Sequence, residues 1–247
     1  MLFSVLRLIF ANFVLFLINK FNKKRDHLMK FFIDTANLEQ ISRAQSLGIL
    51  DGVTTNPSLM AKEGVKGKEQ IFKHYKAICD IVNGPVSAEV FATDYEGMIK
   101  EGEELYAIDP TKITIKLPCT EDGIRAVKHF ADKGYRTNCT LVFTVGQALL
   151  AAKAGATYCS PFVGRLDDIC EDGISLIRDI VNMYQYYGFG TQVLAASIRH
   201  TNHILKCIEV GADVATCPLK PILSLIDHPL TTKGLDIFNQ AAASMKE

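Results

Sequence analysis

A lysine within an apolar segment is the first residue of this sequence that suggests chemistry. In KITIKLPCT, residues 112–120, apolar side chains alternate with Thr114 and Lys116, as they do along a buried strand. Burying an ammonium group costs stability unless it is paired, and removal from water favours the neutral amine. A neutral amine attacks a carbonyl carbon to form an imine. The protonated imine then acts as an electron sink, so that a neighbouring C–C bond can break.

Carboxyl groups and an anion-binding set accompany this lysine in the sequence. Imine chemistry needs groups that move protons, and Asp34 and Glu89 each lie at or near the end of a strand-like segment. Arginine and serine side chains together bind phosphate. Arg165 lies just beyond the sixth strand-like segment, and Ser197 and Arg199 lie on the seventh. The combination predicts imine chemistry on a phosphorylated carbonyl compound.

Other polar and aromatic side chains are spaced two residues apart in the predicted strands, which places them on shared faces. Asn138 and Thr140 share a face of the fifth strand, Ser160 and Phe162 of the sixth, and Ser197 and Arg199 of the seventh, while Asn56 ends the second. Asparagine carboxamides can hold sugar hydroxyls.

Each polar residue also has a structural explanation when it is taken alone. Asp34 and Asn56 could cap helices or turns, Glu89 could simply pair with Lys116, and the hydroxyls could bond to nearby backbone. Seven of eight predicted strands carry such groups at the same end, and this coincidence favours a functional site.

The elements that position these residues alternate regularly from Lys30 onward. The strand-like segments are FFIDTA, GVTTN, VSAEV, ITIKLP, RTNCTLVF, ATYCSPFV, TQVLAASI and ADVATCP, and amphipathic helical patterns separate them. Such alternation implies parallel strands with right-handed crossovers. Eight units in about 218 residues predict one (β/α)8 TIM barrel, with TTKGLDIFNQAAASMK as an extra C-terminal helix. A doubly wound open sheet is the alternative, but no GxGxxG follows the first strand.

Composition excludes several classes of protein. Basic and acidic residues both number 27, so no overall field favours nucleic acid. The six histidines are dispersed, with no HxH, HExxH or acidic cluster, so neither a metal nor another cofactor is predicted. Seven cysteines without a CxxC motif are typical of reduced, packed thiols in a cytoplasmic protein.

Residues 1–28 form a separate apolar and basic extension ahead of the predicted catalytic domain, residues 29–247. The extension is apolar with few polar residues and then reads KFNKKR, a borderline length for a membrane helix. We interpret it as a start codon assigned too early or a dispensable segment, with a membrane anchor as the alternative. Under the anchor alternative, the positive-inside rule still leaves the rest of the chain in the cytoplasm.

The order of motifs resembles the transaldolase family, especially its short-chain members. The segments FFIDTAN, GVTTNPSL, SAEV, ITIKLPCT, NCTLVFT, SPFVGR and AASIR follow the family's order from Met29 to the C-terminal helix. The resemblance implies reversible transfer of a dihydroxyacetone unit. Sedoheptulose 7-phosphate and glyceraldehyde 3-phosphate would give erythrose 4-phosphate and fructose 6-phosphate, in the pentose phosphate pathway.

The same resemblance implies roles for the candidate residues. Lys116 would form the Schiff base, Asp34 would be the acid and base for C–C cleavage, and Glu89 and Thr140 would hold a proton-relaying water. The dihydroxyacetone unit would contact Asn56, Asn138 and Ser160, and the phosphate would contact Arg165, Ser197 and Arg199. Short-chain members are often pentamers or decamers, so a homo-oligomer is implied.

Fructose 6-phosphate aldolase is the alternative within the resemblance, because it shares the barrel and the lysine but releases free dihydroxyacetone. That enzyme has Gln where this chain has Glu89 and Tyr where it has Phe162, which favours transaldolase. Two further alternatives explain less. A membrane-tethered sugar-phosphate receptor does not need Lys116, and a deoxyribose-phosphate type of aldolase leaves Glu89 and Asn138 unexplained.

Overall fold

Eight parallel strands close into a barrel in which each strand pairs with its neighbours in sequence and β8 pairs with β1. The computed structural model describes residues 28–245. The strands are β1 (Lys30–Asp34), β2 (Gly52–Thr54), β3 (Val86–Glu89), β4 (Ile113–Pro118), β5 (Thr137–Val142), β6 (Tyr158–Pro161), β7 (Gln192–Ala195) and β8 (Val214–Cys217). This topology confirms the predicted (β/α)8 TIM barrel.

Helices connect the strands and cover the outside of the barrel. They are α1 (Leu38–Ser46), α2 (Pro57–Lys62), α3 (Lys68–Ile81), α4 (Tyr95–Tyr106), α5 (Glu121–Asp132), α6 (Val145–Lys153), α7 (Val163–Asp167), α8 (Gly173–Tyr187), α9 (Thr201–Glu209), α10 (Leu219–Ser224) and α11 (Pro229–Ser244). The last of these is the extra C-terminal helix that the sequence predicts.

Capping side chains explain where many of the helices begin. Asn37, Asn56, Asp94, Thr120 and Thr144 each accept a hydrogen bond from the backbone N–H three residues further on. Such caps satisfy one of the donors that a helix leaves unpaired at its first turn. The chain therefore leaves these strands through short, ordered turns, and the strand ends hold their side chains in fixed positions.

The two faces of each strand serve different purposes. On β4 the outward residues Ile113, Ile115 and Leu117 are fully buried in the core between barrel and helices. Inside the barrel a second apolar cluster, which we call the floor, consists of Phe32, Tyr158, Leu194, Ala196 and Val214. The floor fills the barrel interior from the N-terminal ends of the strands and reaches Ala196, just beyond the end of β7, while the polar side chains lie at the C-terminal ends.

A glycine on β2 makes room for the floor. A Cβ atom built on Gly52 would lie 2.7 Å from the Phe32 ring and 2.8 Å from the Pro85 carbonyl oxygen. Because backbone as well as ring stands in the way, no other residue fits there without moving β3. The ring of Phe32 fills this space and meets the Tyr158 ring edge-on at 5.8 Å.

The strands are shorter than the sequence predicts, and this changes the position of three candidates. Strand β6 ends at Pro161 and β7 at Ala195, so Phe162, Ser197 and Arg199 all follow the strands. Ser197 has a positive φ of 59°, a left-handed conformation in which period-two alternation no longer applies. The shared face predicted for Ser197 and Arg199 therefore does not exist.

The interpretation of residues 1–28 concerns a segment that lies, except for its last residue, outside the described range of 28–245. Within the described range, no helix combines the length and the hydrophobicity that a membrane span requires. The same range contains no group of three or more His, Cys, Asp or Glu side chains that could hold a metal ion.

Candidate active site

Lys116 lies inside the barrel on β4 and is only 5% exposed. Its Nζ donates to the backbone carbonyl oxygen of Thr55 at 2.9 Å and lies 3.0 Å from Oε2 of Glu89. The strand register places Glu89 beside Lys116 on one side and Asn138 on the other. The ion pair considered from the sequence is thus present, and it holds the amine at a fixed point in the barrel.

Asp34 ends a chain of hydroxyl groups on the adjacent strands. The Thr54 hydroxyl donates to Oδ1 of Asp34 at 2.7 Å, and the Thr216 hydroxyl lies 2.6 Å from that of Thr54. Since a hydroxyl has one hydrogen, Thr216 is the donor in the second bond. The chain orients the carboxyl group of Asp34 toward the barrel interior, as a proton-transfer group requires.

A second polar network spans β3, β5 and β6. The Ser160 hydroxyl donates to Oδ1 of Asn138 at 2.6 Å, and Nδ2 of Asn138 donates to the Ser87 hydroxyl at 3.1 Å. All three side chains are buried. Because buried polar groups without partners are costly, this network fixes the Asn138 carboxamide next to Lys116.

Thr140 lies directly before an irregularity in β5. The register between β5 and β6 shifts between Cys139 and Val142, and Leu141 has a positive φ of 60°. Bulges of this kind re-aim side chains near active sites. The Thr140 hydroxyl is buried and has no hydrogen-bond partner within the described part of the chain. The hydroxyls of Thr114 and Thr137 are in the same state, so the missing partner alone does not assign Thr140 a ligand.

The cationic side of the site comes from the loops after β6 and β7. Arg165 is exposed, its guanidinium lies 5.0 Å from the centre of the Phe162 ring, and no carboxylate among the described residues pairs with it. The N–H of Gly164 donates to the Ser197 carbonyl oxygen at 3.1 Å, which ties the two loops together. A Cβ atom on Gly164 would lie 2.4 Å from that oxygen.

Arg199 packs over Gly164, and a Cβ atom built on that glycine would lie 2.5 Å from Nε of Arg199. Its guanidinium pairs with the carboxylate of Asp168, and about half of each side chain is exposed. Its backbone N–H donates to Nδ1 of His203 at 3.4 Å. Burial lowers the pKa of His203, and the nearby His200 lowers it further. The structure therefore does not place Arg199 in the site that the other residues form.

These groups surround a cavity of about 130 Å³ at the polar end of the barrel. It is lined by Asp34, Thr54, Asn56, Lys116, Ser160, Phe162, Arg165, Ala196, Ser197 and Thr216. About 10–15 Å³ is enough space for one water molecule, so the cavity has room for a bound molecule larger than water. Seven of the eleven candidate residues line this cavity directly, and Glu89 and Asn138 contact residues that do.

Size alone does not select this cavity. A groove of about 650 Å³ lies outside the barrel between α1 and α10. Its charged residues include Arg43, Lys220 and Asp227, all of which are exposed. Water screens exposed charges, whereas the cavity in the barrel holds a buried amine next to a carboxylate.

Sequence reasoning missed several residues of the site. Thr54 and Thr216 line the cavity, and Ser87 supports Asn138. Thr54 precedes Asn56 by two residues, so strand alternation is the signal that could have found it. Thr216 lies on the one strand for which no candidate was identified.

None of the cysteines in the described part of the chain lines the cavity. Cys79, Cys139, Cys159, Cys207 and Cys217 are buried. Burial raises the pKa of Cys207 to about 12, and it does the same for Cys159 and Cys217. Such thiols remain protonated and act as packing side chains.

Comparisons with known proteins agree with this geometry. The family model described as transaldolase/fructose-6-phosphate aldolase matches residues 31–247. A relative from Bacteroides thetaiotaomicron, named probable transaldolase, is 71% identical over 210 residues, covering 85% of this chain and 96% of the relative. Relatives of the same name from Porphyromonas gingivalis and Cytophaga hutchinsonii are 68% and 69% identical over 210 residues, again 85% of this chain and 95% and 96% of the relatives.

Proposed function

This chain belongs to the transaldolase/fructose-6-phosphate aldolase family, and we propose that it acts there as a transaldolase. It is a metal-independent Schiff-base enzyme that transfers a dihydroxyacetone unit from a ketose phosphate to an aldose phosphate. The reaction joins sedoheptulose 7-phosphate and glyceraldehyde 3-phosphate to erythrose 4-phosphate and fructose 6-phosphate, as part of the pentose phosphate pathway. No cofactor is required, because the imine itself stabilises the carbanion.

One observation carries this proposal: a buried lysine amine lies 3.0 Å from a carboxylate inside a barrel cavity that also contains Asp34. Nζ of Lys116 attacks the ketose carbonyl, and loss of water gives the imine. Asp34 then takes the proton from the hydroxyl group next to the breaking C–C bond and returns it in the reverse step. Glu89 and the unpartnered Thr140 hydroxyl hold the water that carries protons during imine formation.

The remaining residues bind the substrate. Asn56, Asn138 and Ser160 hold hydroxyls of the dihydroxyacetone unit, and Phe162 covers its apolar edge. Asn56 uses its carboxamide oxygen to cap α2, which leaves its NH2 group to donate. Arg165 and Ser197 bind the phosphate at the opening of the cavity. Arg199 completes the phosphate site after its guanidinium leaves Asp168.

The direct test of the reaction uses fructose 6-phosphate with erythrose 4-phosphate as acceptor. A transaldolase forms sedoheptulose 7-phosphate and glyceraldehyde 3-phosphate, and releases little free dihydroxyacetone when the acceptor is present. Release of dihydroxyacetone as the main product, unchanged by the acceptor, contradicts the proposal and identifies an aldolase.

We expect Arg165→Gln to raise the KM for fructose 6-phosphate by about 10- to 100-fold. The loss of a charge-assisted hydrogen bond costs about 1.5–3 kcal/mol. Arg199→Gln should raise the KM less. In the wild type, Arg199 gives up its ion pair with Asp168 when it binds the phosphate, and this loss offsets part of the binding energy. Initial-rate measurements of both variants provide the check.

Arg178→Gln is the matched control for these arginine variants, since Arg178 lies on the surface of α8 and pairs with Asp179 and Ser175. If the Arg165 and Arg178 substitutions change the KM equally, Arg165 does not bind the phosphate.

Fructose 6-phosphate aldolase remains the second candidate, and Phe162 separates the two activities. We expect Phe162→Tyr to increase the ratio of released dihydroxyacetone to transferred product by about fivefold. The added phenol can orient a water that protonates the carbanion, and one hydrogen bond contributes about 1 kcal/mol, or a factor of about five. The two products are measured in the same reaction.

Phe143→Tyr is the control, because the Phe143 ring meets that of Phe162 edge-on at 5.7 Å but does not line the cavity. If both tyrosine variants release dihydroxyacetone to the same extent as the wild type, the side chain at position 162 does not decide between transfer and release.

We also propose that the protein is a cytoplasmic homo-oligomer, a pentamer or decamer, in which a neighbouring copy covers α11. This helix buries none of its residues against the described chain, and Leu230, Leu235, Ile237 and Phe238 are each more than half exposed. Exposed apolar clusters of this kind mark interaction surfaces. The catalytic domain of this proposal is residues 29–247, and residues 1–28 are dispensable for activity.

Phe238→Asp should therefore reduce the mass measured by sedimentation toward that of one chain, because a charge placed in an apolar contact cannot be hydrated. Gln240→Asp, on the same helix at another exposed position, serves as the control. An unchanged mass for Phe238→Asp means that α11 does not form the interface.

A further inference from the structure

Tyr75 reaches from α3, outside the barrel, to the ends of β2 and β3. It is 1% exposed, and its hydroxyl lies 2.9 Å from Oγ1 of Thr55. The Thr55 hydroxyl donates its one hydrogen to the Ser87 carbonyl oxygen at 2.8 Å, so the phenol of Tyr75 is the donor to Thr55. Burial raises the pKa of Tyr75 to about 12, so the phenol keeps this hydrogen at neutral pH.

The same phenol is linked to both segments that supply the partners of the active lysine. Thr55 provides the carbonyl oxygen that accepts from Nζ of Lys116, and Glu89 provides the carboxylate at 3.0 Å. The Thr55 hydroxyl to which Tyr75 donates also bonds to the Ser87 carbonyl oxygen of β3, the strand that ends at Glu89. The hydroxyl groups of Tyr75 and Thr55 therefore link the two strand ends between which the amine is held.

The strand ladder alone gives these ends little support. Strands β2 and β3 pair at only two positions, Val53 with Val86 and Thr54 with Ser87, and β2 then ends. Thr55 lies beyond the last pair, and its N–H bond to the Ser87 carbonyl oxygen has a length of 3.2 Å. The hydrogen bond from Tyr75 to Thr55 lies at the point where the ladder stops.

We propose that Tyr75 is a positioning residue for Lys116: its hydroxyl fixes the Thr55 carbonyl and the Glu89 carboxylate, and so fixes the direction from which Nζ attacks the ketose carbonyl. This inference rests on the proposed Schiff-base function. Tyr75 touches neither substrate nor Lys116, and it acts through these two partners. The cavity lining contains no residue of α3, so the lining alone does not identify Tyr75.

Positioning of this kind affects the chemical step more than binding. A misplacement of about 1 Å costs up to about 100-fold in rate. The phosphate site comes from the loops after β6 and β7, which Tyr75 does not contact, so substrate affinity should be retained. A residue that contributes only to stability would lower the melting temperature and the active fraction without changing the rate constant of each active molecule.

The experiment measures single-turnover imine formation by borohydride trapping with fructose 6-phosphate, together with kcat and KM, in the full-length protein. For Tyr75→Phe we expect the trapping rate and kcat to fall by about 10- to 100-fold and KM to stay within about twofold. Thr55→Val should reproduce this loss, and Thr55→Ser, which keeps the hydroxyl, should recover most of the activity.

Tyr184→Phe is the matched control. Tyr184 is also buried, at 3% exposure, and its hydroxyl donates to the Ala148 carbonyl oxygen at 2.7 Å, away from the cavity. If Tyr75→Phe matches Tyr184→Phe in kcat per trapped lysine, the inference is overturned. If Tyr75→Phe does not fold, the comparison of Thr55→Val with Thr55→Ser decides in the same way. If the wild type gives no adduct on Lys116, the proposed function itself fails.

Discussion

Lys116→Arg is expected to abolish both adduct formation and transfer, with a loss of at least about 1,000-fold, or about 4 kcal/mol of barrier. A guanidinium group stays protonated in proteins and cannot attack a carbonyl carbon. It nevertheless keeps a positive charge beside Glu89, so the ion pair that lies 3.0 Å apart in the native protein can re-form in part. The loss therefore reports the missing nucleophile.

Borohydride reduction in the presence of fructose 6-phosphate, followed by peptide mapping, measures this directly. The wild type should carry the reduced three-carbon unit on the peptide that contains residues 112–120, and Lys116→Arg should carry none.

The same strand region supplies a matched control. Lys112 precedes β4, and its Nζ donates to the carbonyl oxygens of Cys79 and Val82, outside the barrel interior. Lys112→Arg should keep near-normal trapping, because arginine can make the same donations. An adduct on any residue other than Lys116 would overturn the assignment of the nucleophile.

Asp34→Asn is expected to separate imine formation from C–C cleavage. Acid and base catalysis by a placed side chain contributes about 10²–10⁴-fold, and transfer should fall by that factor. The carboxamide can still accept the hydrogen bond that Thr54 donates at 2.7 Å in the native protein, so the local structure should persist. Trapping with fructose 6-phosphate should continue, and the mass of the adduct should now be that of the whole sugar phosphate.

Asp51→Asn provides the corresponding control at the other end of the barrel. Oδ2 of Asp51 accepts from the backbone N–H of Phe31 at 2.8 Å, a role that an asparagine oxygen can also fill. Transfer activity should stay close to that of the wild type. If Asp34→Asn still cleaves the C–C bond at the wild-type rate, another group takes the proton.

The regular parts of the site could be predicted from the sequence because strands have a fixed side-chain period. Alternation along β4 placed Lys116 inside the barrel, and the parallel register then made Glu89 and Asn138 its neighbours. The strand ITIKLP has the predicted bounds, Ile113–Pro118. The alternation of side chains along each strand and the order of strands in the barrel were sufficient to place these three residues together.

The irregular parts could not be predicted in this way. Ser197 has a left-handed backbone, and beyond it Arg199 turns toward Asp168, a pairing that no local pattern encodes. Tyr75 comes from a helix that is amphipathic in the ordinary manner, so its sequence gives no sign that its hydroxyl supports two strand ends. Contacts of this kind depend on how the helices pack around the barrel.

The floor of Phe32, Tyr158, Leu194, Ala196 and Val214 has a kinetic consequence. Because these side chains fill the barrel interior behind Lys116, the aldose product and the aldose acceptor both pass through the same opening of the cavity. We expect the first product to leave before the acceptor approaches the bound three-carbon fragment, so that turnover follows a substituted-enzyme, or ping-pong, mechanism. The donor and the acceptor then compete for the same cavity opening. We therefore expect a high concentration of either substrate to inhibit the half-reaction of the other.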